Sequence, residues 1–228
     1  IGVRLVGSEM CIRDRVMEII ENAKPYPITG IVAISDVMDE TMRLLENPEH
    51  KGLTTGWDNM DSIYRISTGE FTVITGVPNH GKSEWMDALL INMIQLHLWK
   101  FAIFSAENRP VRYHLLKLLA KFTNKPFTGN NKMSNEEAKM ALDVLDDRIK
   151  FIGTQEDDVT VESILEQARI LNYRYGINGL LIDPWNTVEH DFRNGETETN
   201  YISRMLSKIN AFAKLHDIHI WVISHPVS

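Results

Sequence analysis

The chain has 228 residues, 43% of them hydrophobic, and a formal net charge of −7. This length can bury the core of one α/β domain, and the acidic balance excludes a generally basic nucleic-acid coat, so any polynucleotide site must be local. The single cysteine, Cys11, excludes an internal disulfide and a cysteine-based zinc cluster. No apolar run reaches the roughly 18 residues that predict a membrane span.

Two segments precede the predicted core. Residues 1–15 lack helical or strand periodicity, and we interpret them either as a non-native sequence or as a poorly ordered natural terminus. Residues 16–53 are interpreted as a linker with a short amphipathic helix, whose apolar face carries Val37, Met38, Met42, Leu44 and Leu45. The core domain is predicted from residue 54 to residue 228.

From Gly69 onward, short β-rich runs alternate with longer helical ones. The predicted strands are 70–75, 99–105, 149–153, 179–183 and 218–224. The predicted helices are 83–98, 109–122, 134–147, 161–175 and 201–216; Ser134 and Glu137 form a capping box, and Gly176 ends the fourth helix. This alternation predicts an α/β fold with a mostly parallel sheet flanked by helices on both faces.

The segment "GVPNHGKS" follows the first strand and opens the next helix. It matches G-x-x-x-x-G-K-[ST], in which backbone N–H groups surround phosphate, Lys82 reaches the β and γ phosphates, and Ser83 offers its hydroxyl to Mg²⁺. The alternative interpretation is a glycine-rich turn that binds nothing. The predicted nucleotide-binding residues are Gly76, Val77, Pro78, Asn79, His80 as a spacer, Gly81, Lys82, Ser83 and Glu84.

Three polar residues stand at the ends of other predicted strands. Asp183 closes "GLLID" and is predicted to hold Mg²⁺, although strands also end in Asp to cap the next helix. Glu107 could orient the water that attacks the γ-phosphate, or could cap a helix. His225 could sense the γ-phosphate or be structural. The residues alone leave each alternative open.

Two further segments bear on which nucleotide is bound and on contact with DNA. "TNKP" at 123–126 lacks the aspartate of a guanine-reading motif, which counts against a GTPase. The loop "WNTVEHDFRNGETETN" at 185–200 carries mainly acidic charge around Arg193, which is unfavourable for holding a phosphodiester backbone.

Several motifs together resemble a known family. They are "YPITG" at 26–30, "TTGWDNMDSIYRISTGEFTVITGVPNHGKSEWMDALL" at 54–90, "AENR" at 106–109, "RYGINGLLIDPWN" at 174–186, "TETNYISRMLSKI" at 197–209 and "WVISHP" at 221–226. In order and spacing they are similar to the Twinkle-like primase-helicases, ring-forming replicative helicases with a RecA-type core. The resemblance covers nearly everything from about residue 18 onward.

The resemblance implies an ATP-dependent DNA helicase motor. It implies Lys82 and Ser83 on phosphate and Mg²⁺, Glu107 as catalytic base, Asp183 on Mg²⁺, and His225 linking the nucleotide to DNA. It also implies single-stranded and forked DNA as partners, a homohexamer that packs through the N-terminal linker helix, and no membrane. The expected location is the cytoplasm of a bacterium or phage-infected cell, or an organellar matrix.

The sequence departs from that family in what it contains. It opens without methionine and stops before the family's arginine finger, so we read it as a fragment that binds ATP better than it hydrolyses it. It carries no primase module. A RecA-like recombinase or ring ATPase that assembles with ATP without unwinding is the main alternative, and a non-catalytic nucleotide-binding subunit is the third.

Overall fold

The computed structural model describes residues 32–46, 52–108, 110–153, 159–189, 192–193 and 195–225. Contacts divide the chain into two compact units, Ile1–His50 and Lys51–Ser228. The predicted terminus at 1–15 and the motif "YPITG" at 26–30 lie outside the described residues.

The first unit contains helix α1, Ile34–Glu46, which confirms the predicted amphipathic helix. None of its side chains is buried. Its large apolar side chains remain exposed, from 38% for Val37 to 79% for Ile34. An apolar helix face of this kind is unusual on an isolated surface and indicates a surface for contact.

The second unit is a parallel five-stranded sheet with helices on both faces, as predicted. Its strands are β1 (Phe71–Thr75), β2 (Phe101–Ser105), β3 (Ile149–Phe151), β4 (Gly179–Asp183) and β5 (His219–Ser224), in the spatial order β1-β5-β4-β2-β3. Its helices are α2 (Asp58–Asp61), α3 (Lys82–His97), α4 (Val111–Thr123), α5 (Asn135–Arg148), α6 (Val161–Tyr175) and α7 (Glu198–His216), with a 3₁₀ turn at Trp185–Thr187.

Alternate strand residues point to opposite faces and build two buried clusters. On one face Leu180 and Ile182 pack with α6 and α7. On the other face Leu181 and Trp221 pack with α3, α4 and α5. Burial on both faces explains why the strands read as near-continuous apolar runs.

Helix ends follow their capping residues. The Ser134–Glu137 capping box is present, and Gly176 ends α6 in the left-handed conformation, with φ of 63°. Helix α7 begins at Glu198, earlier than the predicted residue 201, because the Thr197 side chain accepts a hydrogen bond from the Asn200 N–H.

The segment before β1 is fastened to α3. Asp61 accepts hydrogen bonds from the Thr54 hydroxyl and from the N–H and hydroxyl of Thr55, and the Thr54 bond is the main cause that lowers the pKa of Asp61. Asn92 of α3 donates to the Thr55 carbonyl at 2.9 Å. The motif "TTGWDNMD" therefore has a structural role here.

A partly buried hydrogen-bond chain joins β5 to β1. Trp221 Nε1 donates to the Tyr64 hydroxyl at 3.1 Å, and Tyr64 lies 3.0 Å from the Thr72 hydroxyl. Thr72 in turn lies 2.9 Å from His219 Nε2, and His219 Nδ1 lies 2.7 Å from the Ser67 carbonyl oxygen. Because a carbonyl only accepts, Nδ1 carries the proton. Burial lowers the pKa of His219, so the ring is neutral near pH 7 and Nε2 accepts from Thr72.

Acid should weaken the fold through His219. Burial lowers its pKa from 6.5 to about 4, so as the pH falls through this window the unfolded chain binds a proton that the folded chain does not. The stability that the neutral His219 ring contributes is complete above pH 6.5 and is lost progressively as the pH falls toward 4. Between pH 7 and pH 5 we expect about 2 kcal/mol of the free energy of unfolding to be lost.

Urea denaturation of the wild type and of His219→Gln at both pH values measures this loss. Glutamine can donate to Ser67 and accept from Thr72 without titrating, so the variant should lose about 2 kcal/mol less. Equal losses in the two proteins would contradict the assignment.

Candidate nucleotide-binding site

The carboxyl ends of four strands meet at one edge of the sheet. Thr75 of β1 is level with Ser224 of β5, and Ser105 of β2 is level with Asp183 of β4. Strand β5 lies between β1 and β4, so the residue that follows it, His225, comes between the glycine-rich loop and Asp183. This edge is where open parallel sheets bind ligands.

The loop from Gly76 to Ser83 turns sharply into α3. Gly81 has φ of 82° at the helix N-cap and Asn79 has φ of 63°, conformations that glycine and asparagine adopt most readily. Lys82 Nζ donates to the carbonyl oxygens of Gly76 at 2.7 Å and Val77 at 3.0 Å. The ammonium therefore lies inside the loop, beside the helix N-terminus, where phosphate binds in such loops.

Asp183 lies beside this loop and is 1% exposed. Burial is the main cause that raises its pKa; a hydrogen bond from the Ser83 side chain lowers it, and the charge of Glu107 raises it further. Its Oδ1 atom has no hydrogen-bond partner among the described residues. The 3₁₀ turn that follows has Pro184 at its N-cap and no side-chain cap, so Asp183 does not cap it.

These residues fit a magnesium ion. A buried carboxylate oxygen with no partner among the described residues, next to a serine hydroxyl, provides the oxygen ligands that Mg²⁺ prefers. Ser83 and Asp183, the two metal ligands predicted from the sequence, are the residues that would hold the ion.

Glu107 and His225 are in contact. The Glu107 carboxylate accepts a hydrogen bond from His225 Nε2, with Oε1 and Nε2 3.1 Å apart. Helix α4 begins after Pro110 without a side-chain cap, so Glu107 does not cap it. Half of the Glu107 side chain is exposed to the site, whereas His225 is mostly covered.

Asn186 fixes the position of His225 from β4's side of the site. Its Oδ1 accepts from the His225 N–H at 2.8 Å, and its Nδ2 donates to the His225 carbonyl at 3.2 Å. This pair of bonds holds the backbone of His225 while leaving its ring in contact with Glu107. The sequence indicated Asn186 only as part of "IDPWN" and gave no role for it.

The site is a cleft of about 480 Å³, a size typical of small-molecule sites. Its lining includes Lys117, Asn108 and Glu84, together with the loop, Glu107 and His225. Lys117 Nζ lies 3.2 Å from Asn108 Oδ1 and 3.1 Å from Glu84 Oε1. The sequence does not indicate Lys117 as a site residue, because only tertiary packing brings α4 to the loop, and Asn108 stands in "AENR" without a predicted role.

Comparison with known families decides the classification. Residues 52–225 match the family described as DnaB-like helicase C terminal domain. The chain belongs to this family.

Individual relatives agree with the family. The chain is 41% identical over 218 residues to the Twinkle homolog protein, chloroplastic/mitochondrial, of Arabidopsis thaliana. That match covers 92% of this chain and 31% of the relative, so the chain spans about a third of the relative's length.

Solved structures agree with the fold of the DnaB-like domain. The chain matches a solved ATPase domain with a TM-score of 0.66 at 17% identity, covering 86% of this chain and 72% of the other. A DnaB-like replicative helicase studied with primase matches with a TM-score of 0.61 at 16% identity, covering 95% of this chain and 57% of the other. These likenesses confirm the predicted RecA-like fold.

Proposed function

We propose that this DnaB-like domain is the ATP-hydrolysing motor of a replicative DNA helicase. The observation that carries the proposal is the convergence of Lys82, Asp183, Glu107 and His225 at one edge of the sheet, with Glu107 and His225 in contact. Family membership and the 41% identity to the Twinkle homolog support the same reading.

Each residue has a role in hydrolysis. Lys82 and the backbone N–H groups of the loop bind the β and γ phosphates of ATP. Ser83 and Asp183 would hold Mg²⁺, which would neutralise charge on the phosphate oxygens. Glu107 accepts the proton of the water that attacks the γ-phosphate, as the carboxylate faces the cleft and does not cap α4.

His225 connects this chemistry to the chain that follows β5. Because its Nε2 binds Glu107 and its backbone is held by Asn186, a change at the γ-phosphate that moves Glu107 also acts on His225. We propose that this connection links the nucleotide state to DNA.

Asn186→Ala should slow hydrolysis without weakening nucleotide binding. The variant removes both bonds to the His225 backbone, so the ring no longer holds Glu107 in one position, and we expect kcat for ATP to fall about tenfold. Steady-state ATPase measurements separate kcat from KM. A raised KM with unchanged kcat would show that Asn186 serves binding instead.

The proposed assembly is a homohexamer on single-stranded or forked DNA. The exposed apolar face of α1 is the surface proposed to pack on a neighbouring subunit.

In the acidic loop 185–200, Glu196 accepts hydrogen bonds from the Arg204 guanidinium, which lowers the pKa of Glu196 to about 2. This internal pairing reduces the repulsion that the loop would present to DNA.

The relative's name favours an organellar matrix over the cytoplasm of a bacterium or phage-infected cell as the location. None of the helices among the described residues is long and apolar enough to cross a membrane.

Unwinding of a forked duplex by the intact protein tests the proposal. We expect ATP-dependent strand separation, and hexameric rings in electron micrographs with ATP and single-stranded DNA. ATP-dependent filaments without strand separation would instead support the RecA-like recombinase alternative. ATP binding with neither hydrolysis nor unwinding would support a non-catalytic assembly subunit.

A further inference from the structure

A buried polar pair lies directly behind the nucleotide site. Asp87 of α3 and His114 of α4 are each 1% exposed, and His114 Nε2 donates to Asp87 Oδ1 at 2.8 Å. The imidazole also packs edge-on against the ring of Phe151, with centroids 5.5 Å apart. The pair therefore joins the helix of the phosphate loop to α4 through the interior.

Packing alone does not account for this pair. Among the described residues, Asp87 Oδ2 and His114 Nδ1 have no hydrogen-bond partner. A buried carboxylate with an unpaired oxygen costs free energy, and well-packed apolar side chains can join two helices at lower cost. The pair keeps a carboxylate group in the core, at one particular place.

That place is next to the predicted metal ligands. Ser83 and Asp87 are four residues apart on α3, so they lie on the same face of the helix, one turn apart. A hydrogen bond with the Ser83 side chain is among the causes acting on the pKa of Asp183, and Asp183 keeps one oxygen without a partner among the described residues. Asp87 therefore lies one turn further along α3 than Ser83, the α3 residue that interacts with Asp183.

The charges support this arrangement. After burial, the Ser83 bond and Glu107, Asp87 is the next cause acting on the pKa of Asp183, which it raises, whereas His114 lowers it. Carboxylates that are held together against their repulsion are relieved by a divalent cation. Of these two opposing charges that of Asp87 has the larger effect, so the pair as a whole favours Mg²⁺ beside Asp183 without being a ligand.

We propose that Asp87 and His114 are a positioning pair for Mg²⁺: Asp87 supplies a buried negative charge one helical turn behind Ser83, and His114 fixes the orientation of that carboxylate. The inference rests on the proposed ATP and Mg²⁺ site. Neither residue touches the nucleotide; both act through Ser83 and Asp183.

Asp87→Asn in the intact protein tests the pair. Asparagine keeps the shape and an oxygen that accepts from His114, but removes the charge. In calorimetric titration of Mg²⁺ into protein with ADP, we expect the Mg²⁺ concentration at half-saturation to rise about tenfold. ADP affinity in EDTA should stay as in the wild type, because the phosphate loop is unchanged.

Asp61→Asn is the matched control, since the Asp61 carboxylate also accepts hydrogen bonds but lies outside the nucleotide cleft. It should lower the melting temperature and leave the Mg²⁺ titration unchanged. If Asp87→Asn behaves in the same way, the pair is only structural and the proposal is overturned.

Two variants of His114 add a second measurement. His114→Gln can still donate to Asp87 and should keep a near-normal Mg²⁺ titration, whereas His114→Phe should shift it in the same direction as Asp87→Asn. A normal titration in a folded His114→Phe protein would overturn the role of His114. Absence of any Mg²⁺-dependent ADP binding in the wild type would instead refute the proposed function.

Discussion

Lys82→Ala should abolish ATP-driven unwinding and reduce ATP hydrolysis by at least about a hundredfold. The Lys82 ammonium lies inside the phosphate loop, bound to the carbonyl oxygens of Gly76 and Val77, and alanine leaves no cation in that position. ATP affinity should fall with the rate, because the same charge binds the phosphates before the reaction and during it. Hydrolysis, equilibrium binding of a fluorescent ATP analogue, and forked-duplex unwinding measure the three effects.

Lys208→Ala is the control for Lys82. Lys208 pairs with Glu162 between α7 and α6, and it does not line the cleft. We expect wild-type hydrolysis and unwinding from this variant. Unchanged unwinding in Lys82→Ala would defeat the helicase assignment of this loop.

Glu107→Gln should separate binding from chemistry. Glutamine keeps the size of the side chain and an oxygen that accepts from His225 Nε2, but it cannot take a proton from water. We expect kcat to fall between about 10²- and 10⁴-fold, while the affinity for ATP stays within about threefold of the wild type. Single-turnover hydrolysis and analogue binding distinguish the two quantities.

Glu166→Gln provides a matched comparison, because Glu166 is exposed to a similar extent and pairs with Arg169 on α6, away from the cleft. Its hydrolysis should equal that of the wild type. If Glu107→Gln hydrolyses ATP normally, Glu107 is not the base, and another group must orient the water.

Much of the site follows from strand ends. The spacing of the loop predicts phosphate binding, and because parallel strands end at one edge, Glu107, Asp183 and His225 are expected together at that edge. The structure brings them together. Their catalytic roles are the predictions that Lys82→Ala and Glu107→Gln test.

Other parts of the site depend on packing that no local pattern contains. Asn186 and His225 follow different strands and meet because β5 lies beside β4. In the sequence, Asp87 is a polar residue within a largely apolar helix. Only the packing of α4 against α3 brings His114 into contact with it. Neither pair has a fixed sequence spacing, so composition and periodicity do not reveal them.

The fold shows the same division. Apolar runs and caps predict the strands and most helix ends, since these depend on neighbouring residues. The spatial order of the strands depends on which helix faces cover which face of the sheet, and the placement of β5 between β1 and β4 was not predicted.

Strand β1 is an edge strand of the sheet. Among the described residues β1 pairs only with β5, so its outer row of N–H and C=O groups is available to a further strand. Val73, in the middle of β1, is 45% exposed. An unpaired edge strand can pair with a further strand, from the same polypeptide or from a second molecule. A version of the protein in which another strand pairs with β1 should therefore aggregate less than the 228-residue chain alone.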